Sequence, residues 1–312
     1  MHTASTTFGN ALTAPSRARS APWSPATLGI AAGLTAAMIW GGALAMTRLG
    51  VTGNAAFGPA DIALLRFTGP AIVLLPVLIR ALPQLRRTSF WLLAALLAGG
   101  GAPFVLVAGS GLGLAGAAEA GALLPGTAPL CIAVASALMG ERFSAMRRWG
   151  LMLIAAAVVF VAGPSVLSAA EGTFAGHLLL LAAAVLAAGY TLALRRSGIG
   201  AWQAAAFVSA GSAACLWPFY AIALEPAVFA APWREILVQA TFQGVASGLV
   251  APIAFAAAVV RIGASRAAAF GCLSPGAATL AGFMLMGEVP DVATMFAVGL
   301  SSVGVALLVR NG

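Results

Sequence analysis

Two charged side chains stand inside long apolar runs of this 312-residue chain: Arg66 and Glu119. An ionisable group in a membrane-type segment is expensive and normally faces the protein interior or a water-filled cavity. Arg66 lies about seven residues, roughly 10 Å of helix rise, into its run. A guanidinium there can grip a carboxylate through two parallel N–H donors. Glu119, nearer the end of its run, can hold an ammonium group or carry a proton once desolvated. Trp40, Tyr190 and Gln243 add polar-tipped groups within or near the ends of other runs. The two aromatic rings can stack an apolar or aromatic molecule, although such residues also serve in interface belts and packing. Trp40, Arg66, Glu119, Tyr190 and Gln243 are therefore the candidate binding residues. Pro103, Pro125, Pro252 and Pro275 interrupt runs, each removing a backbone donor and freeing a carbonyl. They are the candidate gating or cavity-lining positions.

Other polar residues carry a plainer expectation. His177 opens a run and is read as a surface residue; Glu141 and Glu288 end runs and are read as caps on packing. Cys131, Cys215 and Cys272 each sit in apolar sequence and read as small buried hydrophobes, not a disulfide framework. With two histidines and no Cys or His cluster, the sequence offers no metal site. Nothing in it calls for a cofactor.

The elements that position these residues follow from composition. The chain is 61% apolar and 8% charged, with a mean hydropathy of +1.01. Soluble domains carry about 25% charged residues, so most of this surface must face lipid. A spanning helix needs roughly 20 apolar residues, and the continuous Ala- and Leu-rich runs do not fit the short alternating segments of a membrane β-barrel. Ten stretches qualify, at about 28–49, 59–80, 90–111, 116–139, 147–167, 175–195, 201–223, 236–259, 265–287 and 292–309.

The net charge of +8 comes from Arg alone, with no Lys. These Arg lie in short loops, not in a stripe, which excludes nucleic acid as the partner and makes them orienting residues. With ten spans and the N-terminus inside the cell, only Arg48 and Arg234 fall on outer segments and only Arg66 within a span. That asymmetry predicts a plasma-membrane protein, the inner membrane in a bacterium, with both termini cytoplasmic. Residues 1–27, rich in Ser, Thr, Ala and Pro, read as a cytoplasmic tail.

The spans repeat. Ala102-Pro103, Leu124-Pro125-Gly126 and Leu138-Met139-Gly140-Glu141 return as Ala251-Pro252, Ser274-Pro275-Gly276 and Leu285-Met286-Gly287-Glu288. Leu44-Ala45, Arg48 and Gly50 return as Leu192-Ala193, Arg196 and Gly198. Residues 28–170 and 171–312 thus form two halves of five spans each. Five is odd, so the halves enter the membrane from opposite sides. The loop after Glu141 is basic, whereas the loop after Glu288 holds Asp291 and no Arg, in keeping with that inversion. The expected fold is an all-α integral membrane protein of ten helices in two inverted five-helix repeats.

An inverted repeat predicts alternating access, with a site near the midplane between the halves. Trp40-Gly41, Arg66 and the Pro-then-Gly-Glu pattern ending the fourth and ninth spans resemble the EamA-type transporters of the drug/metabolite transporter superfamily. The resemblance extends over the chain from about residue 28; in the second copy Glu288 is followed by Val-Pro, not Arg. It implies a membrane protein that moves small metabolites, amino acids or toxic compounds, usually outward, with the small molecule and the bilayer as partners, as a monomer or homodimer. Protons, through Glu119, are the candidate coupling ion. A membrane-embedded enzyme and a passive channel are the competing readings. Two Asp, two His and no paired carboxylates within spans give an enzyme little to work with. Gly99-Gly100-Gly101 lacks the Lys and Ser/Thr of a nucleotide-binding loop, which argues against ATP as the direct energy source.

Overall fold

In a computed structural model, residues 24–54, 57–167, 171–223 and 227–310 are described; they form helices joined by short connections, with no strand among them. All but residues 24–27 of the expected tail lies outside the described residues. Helix α1 (Pro25–Thr52) starts where the Ser24 hydroxyl accepts the Thr27 N–H, with Pro25 in the first turn. Proline costs nothing there, because that backbone donor would have no helical partner.

Proline and glycine also set the breaks. Helices α2 (Pro59–Val73) and α3 (Leu75–Leu85) meet at Leu74 with a bend of 84°. Pro76 lies just beyond and has no N–H with which to continue the ladder. Helices α4 (Phe90–Gly100) and α5 (Ala102–Leu114) meet at Gly101, immediately before Ala102-Pro103. The Ala102 N–H finds a partner outside the helix, donating to Ser212 Oγ at 2.9 Å. Then follow α6 (Ala117–Leu138) and α7 (Ala145–Leu167). The second half contains α8 (Glu171–Ser197), α9 (Ala201–Ala223), the short α10 (Ala227–Ala230) and α11 (Trp233–Gln239). A π-helix over Ala240–Val250 leads into α12 (Ala251–Ile262), so Pro252 stands where the wide turns give way to α-helix. Helix α13 (Ala264–Ala269), a 3-10 turn at Phe270–Leu273, α14 (Ser274–Met286) and α15 (Val292–Arg310) complete the chain.

Each of the ten expected stretches is helical. By length and apolarity eight can cross a membrane, or nine if the bent α2–α3 pair is one span. The bend and the short apolar length of the last helix, Val292–Leu308, account for the difference from ten. Large apolar side chains such as Leu138, Ile222, Val260 and Met284 point outward, as a lipid-facing surface requires. The cysteines depart from expectation: Cys215 is exposed and Cys131 and Cys272 are partly so, all three free. In a lipid-facing helix a small apolar thiol is as well placed outside as inside.

The repeated Met-Gly-Glu string has a backbone reason. Gly140 and Gly287 have φ of +86° and +68°, a region that disfavours any side chain. Each turns the chain sharply at a helix end and brings the following Glu back over it; Gly287 N–H bonds to Phe283 O and Glu288 N–H to Gly282 O.

Packing between the halves is reciprocal. Helix α1 lies on α12 and α14, and its counterpart α8 lies on α4, α5 and α6. Helices α2 and α9 pack together, as do α7 and α15. No hydrophobic force drives helices together in lipid, so close backbone approach must. A Cβ on Gly99 would come within 2.0 Å of Leu186 O on α8, and one on Gly41 within 2.6 Å of Ser274 O. Gly189, by contrast, faces open space. Gly99→Ala is expected to lower the melting temperature of the purified protein by several degrees, an overpacking cost of about 1–3 kcal/mol, while Gly189→Ala leaves it unchanged.

Candidate functional site

Arg66 projects from α2 into a polar chain buried among apolar helices. Its Nη1 donates to Oε1 of Gln243 at 2.9 Å. Gln243, fully buried in the π-helix, donates from Nε2 to Thr47 Oγ1 at 2.9 Å, and the Thr47 hydroxyl donates to Ala43 O at 2.7 Å. One turn earlier, Gln239 donates to Met46 O at 2.8 Å. These bonds fix the π-helix against α1. Gly244 and Gly248 let it approach α2 as well: a Cβ on Gly248 would meet Pro70 at 2.7 Å. The wide turns of a π-helix are frequent at functional sites because they re-aim side chains; here they deliver a neutral acceptor to a half-buried cation.

Two cavities meet at this point. The first, about 190 Å³, is lined by Trp40, Thr47, Arg66, Phe104, Ala108 and Leu112, among others. The second, about 270 Å³, is lined by Trp40, Arg66, Phe104, Tyr190, Ser209, Ser247 and Pro252, with Gly99 and Gly100 in its wall. Trp40, Arg66 and Phe104 border both. The first cavity extends toward the C-terminal ends of α1 and α5, which Arg48 ties together. The second extends toward the C-terminal end of α8 and the first half of α9, at the end where Gln84 of α3 donates to Gly198 O. The two cavities therefore lie on opposite sides of the Trp40–Arg66–Phe104 level. Neither is lined by a carboxylate, and no ion pair among the described residues involves Arg66.

Glu119 lies elsewhere. It lines a separate cavity of about 310 Å³ with Arg48, Glu288 and Asp291, sharing no residue with the other two. Its Oε2 accepts the Gly116 N–H at 2.8 Å, capping the start of α6, and stands 3.4 Å from His177 Nε2. His177, expected at the surface, is buried at 2% exposure; α8 packs against α5 and α6, so a residue at the start of that helix is covered. Asp291 accepts the Thr294 N–H at 2.7 Å, which holds its carboxyl below the usual aspartate range. Arg48 and Glu288 form an ion pair. Arg48 also donates to Leu112 O at 2.6 Å and Ala115 O at 2.7 Å, and Glu288 accepts the Ala117 N–H at 3.0 Å. This junction joins the ends of α1, α5 and α14 to the start of α6.

The structure thus brings Trp40, Arg66, Tyr190, Gln243 and Pro252 together and leaves Glu119 apart. Pro125 is half-buried within α6, Pro275 is buried at the start of α14, and Pro103 is exposed at the start of α5. Phe104, Ser209 and Ser247 line the cavities without having stood out in the sequence. Ser247, four residues after Gln243 on one helix, was within reach of a spacing argument; Phe104 and Ser209 offered none.

These features define a multi-pass membrane protein with a polar cavity among its helices. The chain belongs to the EamA-like transporter family, whose model matches residues 27–163 and again 174–310. One solved crystal structure is 21% identical, covers 91% of this chain and 97% of its own, and has a TM-score of 0.59, a likeness of fold alone. No match was found among curated proteins.

The polar chain makes a stability prediction. Gln243→Leu leaves the Arg66 guanidinium without its protein partner and is expected to cost about 1–3 kcal/mol. Arg66→Leu combined with Gln243→Leu should cost less than the sum of the two single changes, because neither polar group is then stranded. Melting curves of the three variants measure this; strict additivity would mean that the 2.9 Å bond contributes nothing.

Proposed function

We propose that this protein is a secondary transporter exporting small organic metabolites, among them amphipathic or toxic compounds, by alternating access between two inverted five-helix repeats. In this reading the ten helices all contribute to spans, the protein lies in the plasma membrane with both termini cytoplasmic, and the substrate occupies the cavities at Arg66. It is a carrier, neither an enzyme nor a passive channel.

One observation carries the reading: equivalent positions of the two repeats are in different states. Arg48 and Glu288 correspond to Arg196 and Glu141 by the sequence repeat. Arg48 and Glu288 are paired. Arg196 instead reaches the Met139 sulfur, two residues short of Glu141, and Glu141 lies 3.9 Å from Arg147 with about half its side chain exposed. Glu141 also borders a cavity of about 390 Å³ between α6, α7 and α15. One end of the molecule is latched and the matching end is not. If the halves exchange conformations, Arg196 takes Glu141 as Arg48 releases Glu288, and the open side changes. A channel needs no such inequality, and the Ser and Tyr hydroxyls of the Arg66 cavities have no carboxylate, His or Lys beside them in the lining to act as their base.

In this reading Glu119, beside His177 and outside the Arg66 cavities, couples protons to the cycle without holding the substrate. Of its neighbours, Arg48 and Glu288 form the latch and Asp291 lines the same cavity, so in this reading a change of charge there bears on opening.

Export profiling of overproducing cells, then counterflow in proteoliposomes with the solutes so found, tests the proposal. Flux should saturate, respond to solute on the opposite side and yield no modified product. Glu288→Gln and Glu141→Gln should each slow it at least tenfold at matched expression. Glu119→Gln should abolish its dependence on a pH gradient. Non-saturable flux, or full activity in both latch variants, would overturn alternating access by this route.

A further inference from the structure

The Arg66 cavities hold one formal charge, and it is positive. Among the described residues the guanidinium has a single hydrogen-bond partner, the neutral Gln243. Arg66 is half-buried; withdrawing a cation from water without a counter-charge is unfavourable, and five guanidinium N–H groups leave donors unspent. The only carboxylate on the same helix, Asp61, is turned away into its own site, where it accepts from Gly58 N–H, Val228 N–H and the Tyr220 hydroxyl. Glu119, which would serve an ammonium group, lines a different cavity. A second observation points to a polar ligand at the same place: Ser247, 2% exposed and lining the larger cavity, has a buried hydroxyl with no hydrogen-bond partner. Ser209 and the Tyr190 phenol add hydroxyls, and the rest of the lining is apolar or aromatic, with Trp40, Phe67 and Phe104. At about 270 Å³ the larger cavity falls just below the roughly 300–1,000 Å³ of drug-sized sites.

From this we infer that the site takes small organic monoanions, an aromatic or branched body with one carboxylate, and discriminates against zwitterions and amines of the same shape. The carboxylate accepts from the free N–H groups of Arg66, the body lies against Trp40, Phe104 and Tyr190, and Ser247 donates to a second acceptor or to the carboxylate itself. An ammonium group on the same ligand would be desolvated with no anion to meet it, and the positive Arg66 would repel it. The inference rests on the reading that the Arg66 cavities are the substrate site, and it narrows the substrate class by charge.

Three matched ligands test it: 3-phenylpropionate, phenylalanine and phenethylamine, which share the phenylethyl body and differ in the acid and the amine. Binding to the purified full-length protein in nanodiscs is measured by calorimetry, and flux of each by proteoliposome counterflow. The acid should bind at least tenfold more tightly than phenylalanine, and the amine should not bind. Arg66→Gln should weaken the acid at least tenfold, Arg66→Lys less, and Ser247→Ala two- to fivefold. Phenylalanine equal to or tighter than the acid, no binding of the acid, or acid binding unchanged in Arg66→Gln would each overturn the inference. Should Arg66→Gln fail to fold, the ranking by the wild-type protein decides. Arg66-dependent phenylalanine flux equal to or faster than that of the acid would sink the charge preference and leave the transporter reading standing; acid bound but never carried across would do the reverse.

Discussion

The arrangement depends on one ion pair that crosses between the two halves. Arg48 belongs to the first repeat and Glu288 to the second, and between them they gather the ends of four helices. Such a pair at a partly exposed site contributes little to stability by itself. Its value is positional. The two carbonyls at the end of α5 and the N–H at the start of α6 have no partners within their own helices, and the pair supplies them. Breaking it therefore releases both a charge contact and two helix ends. That is the behaviour of a latch: modest in energy, decisive in geometry.

The Arg66–Gln243–Thr47 chain sits at the level where the two cavities meet, and α1 carries both Thr47 and Arg48. Thr47, one residue before Arg48, holds Gln243, the partner of Arg66, so under the proposed cycle a shift of the α1 end would bear on the Arg66 chain. The glycine contacts at Gly41, Gly99 and Gly248 let α1, α4 and the π-helix approach their neighbours closely. Small residues at these crossings substitute for the hydrophobic driving force that lipid removes.

Much of this was legible in the residues. Continuous apolar runs gave the helices, and proline and glycine positions gave most of the breaks. The matching strings at Met139-Gly140-Glu141 and Met286-Gly287-Glu288 gave the repeat, with the left-handed glycine as its physical cause. Arg66 was conspicuous because a charge in an apolar run has few explanations. The bend at Leu74 was not anticipated, since prolines in membrane helices are often absorbed without a break. His177 and Glu119 were read one at a time, whereas their placement follows from α8 packing on α5 and α6, a long-range contact that no local pattern encodes. The partner of Arg66 was hidden for the same reason: Gln243 lies 177 residues away, and the π-helix that aims it has no sequence signature. The repeat did hold the latch, because Arg48, Arg196, Glu141 and Glu288 recur at matching positions, but only the packing of α1 on α14 shows which Arg meets which Glu.

The central claim is that the two ends open in opposition, and interlabel distances measure it most directly. In a cysteine-free background, spin labels at Thr52 and Val289 report the latched end, and labels at Arg142 and Gly200 report the other; all four positions are exposed. Electron–electron double resonance in lipid then compares the parent protein with Glu288→Arg, which sets two positive charges against each other at the latch. The account expects the Thr52–Val289 distance to lengthen and the Arg142–Gly200 distance to shorten in the same sample. A lengthening at the first pair with no change at the second, or both pairs moving in the same direction, would contradict it.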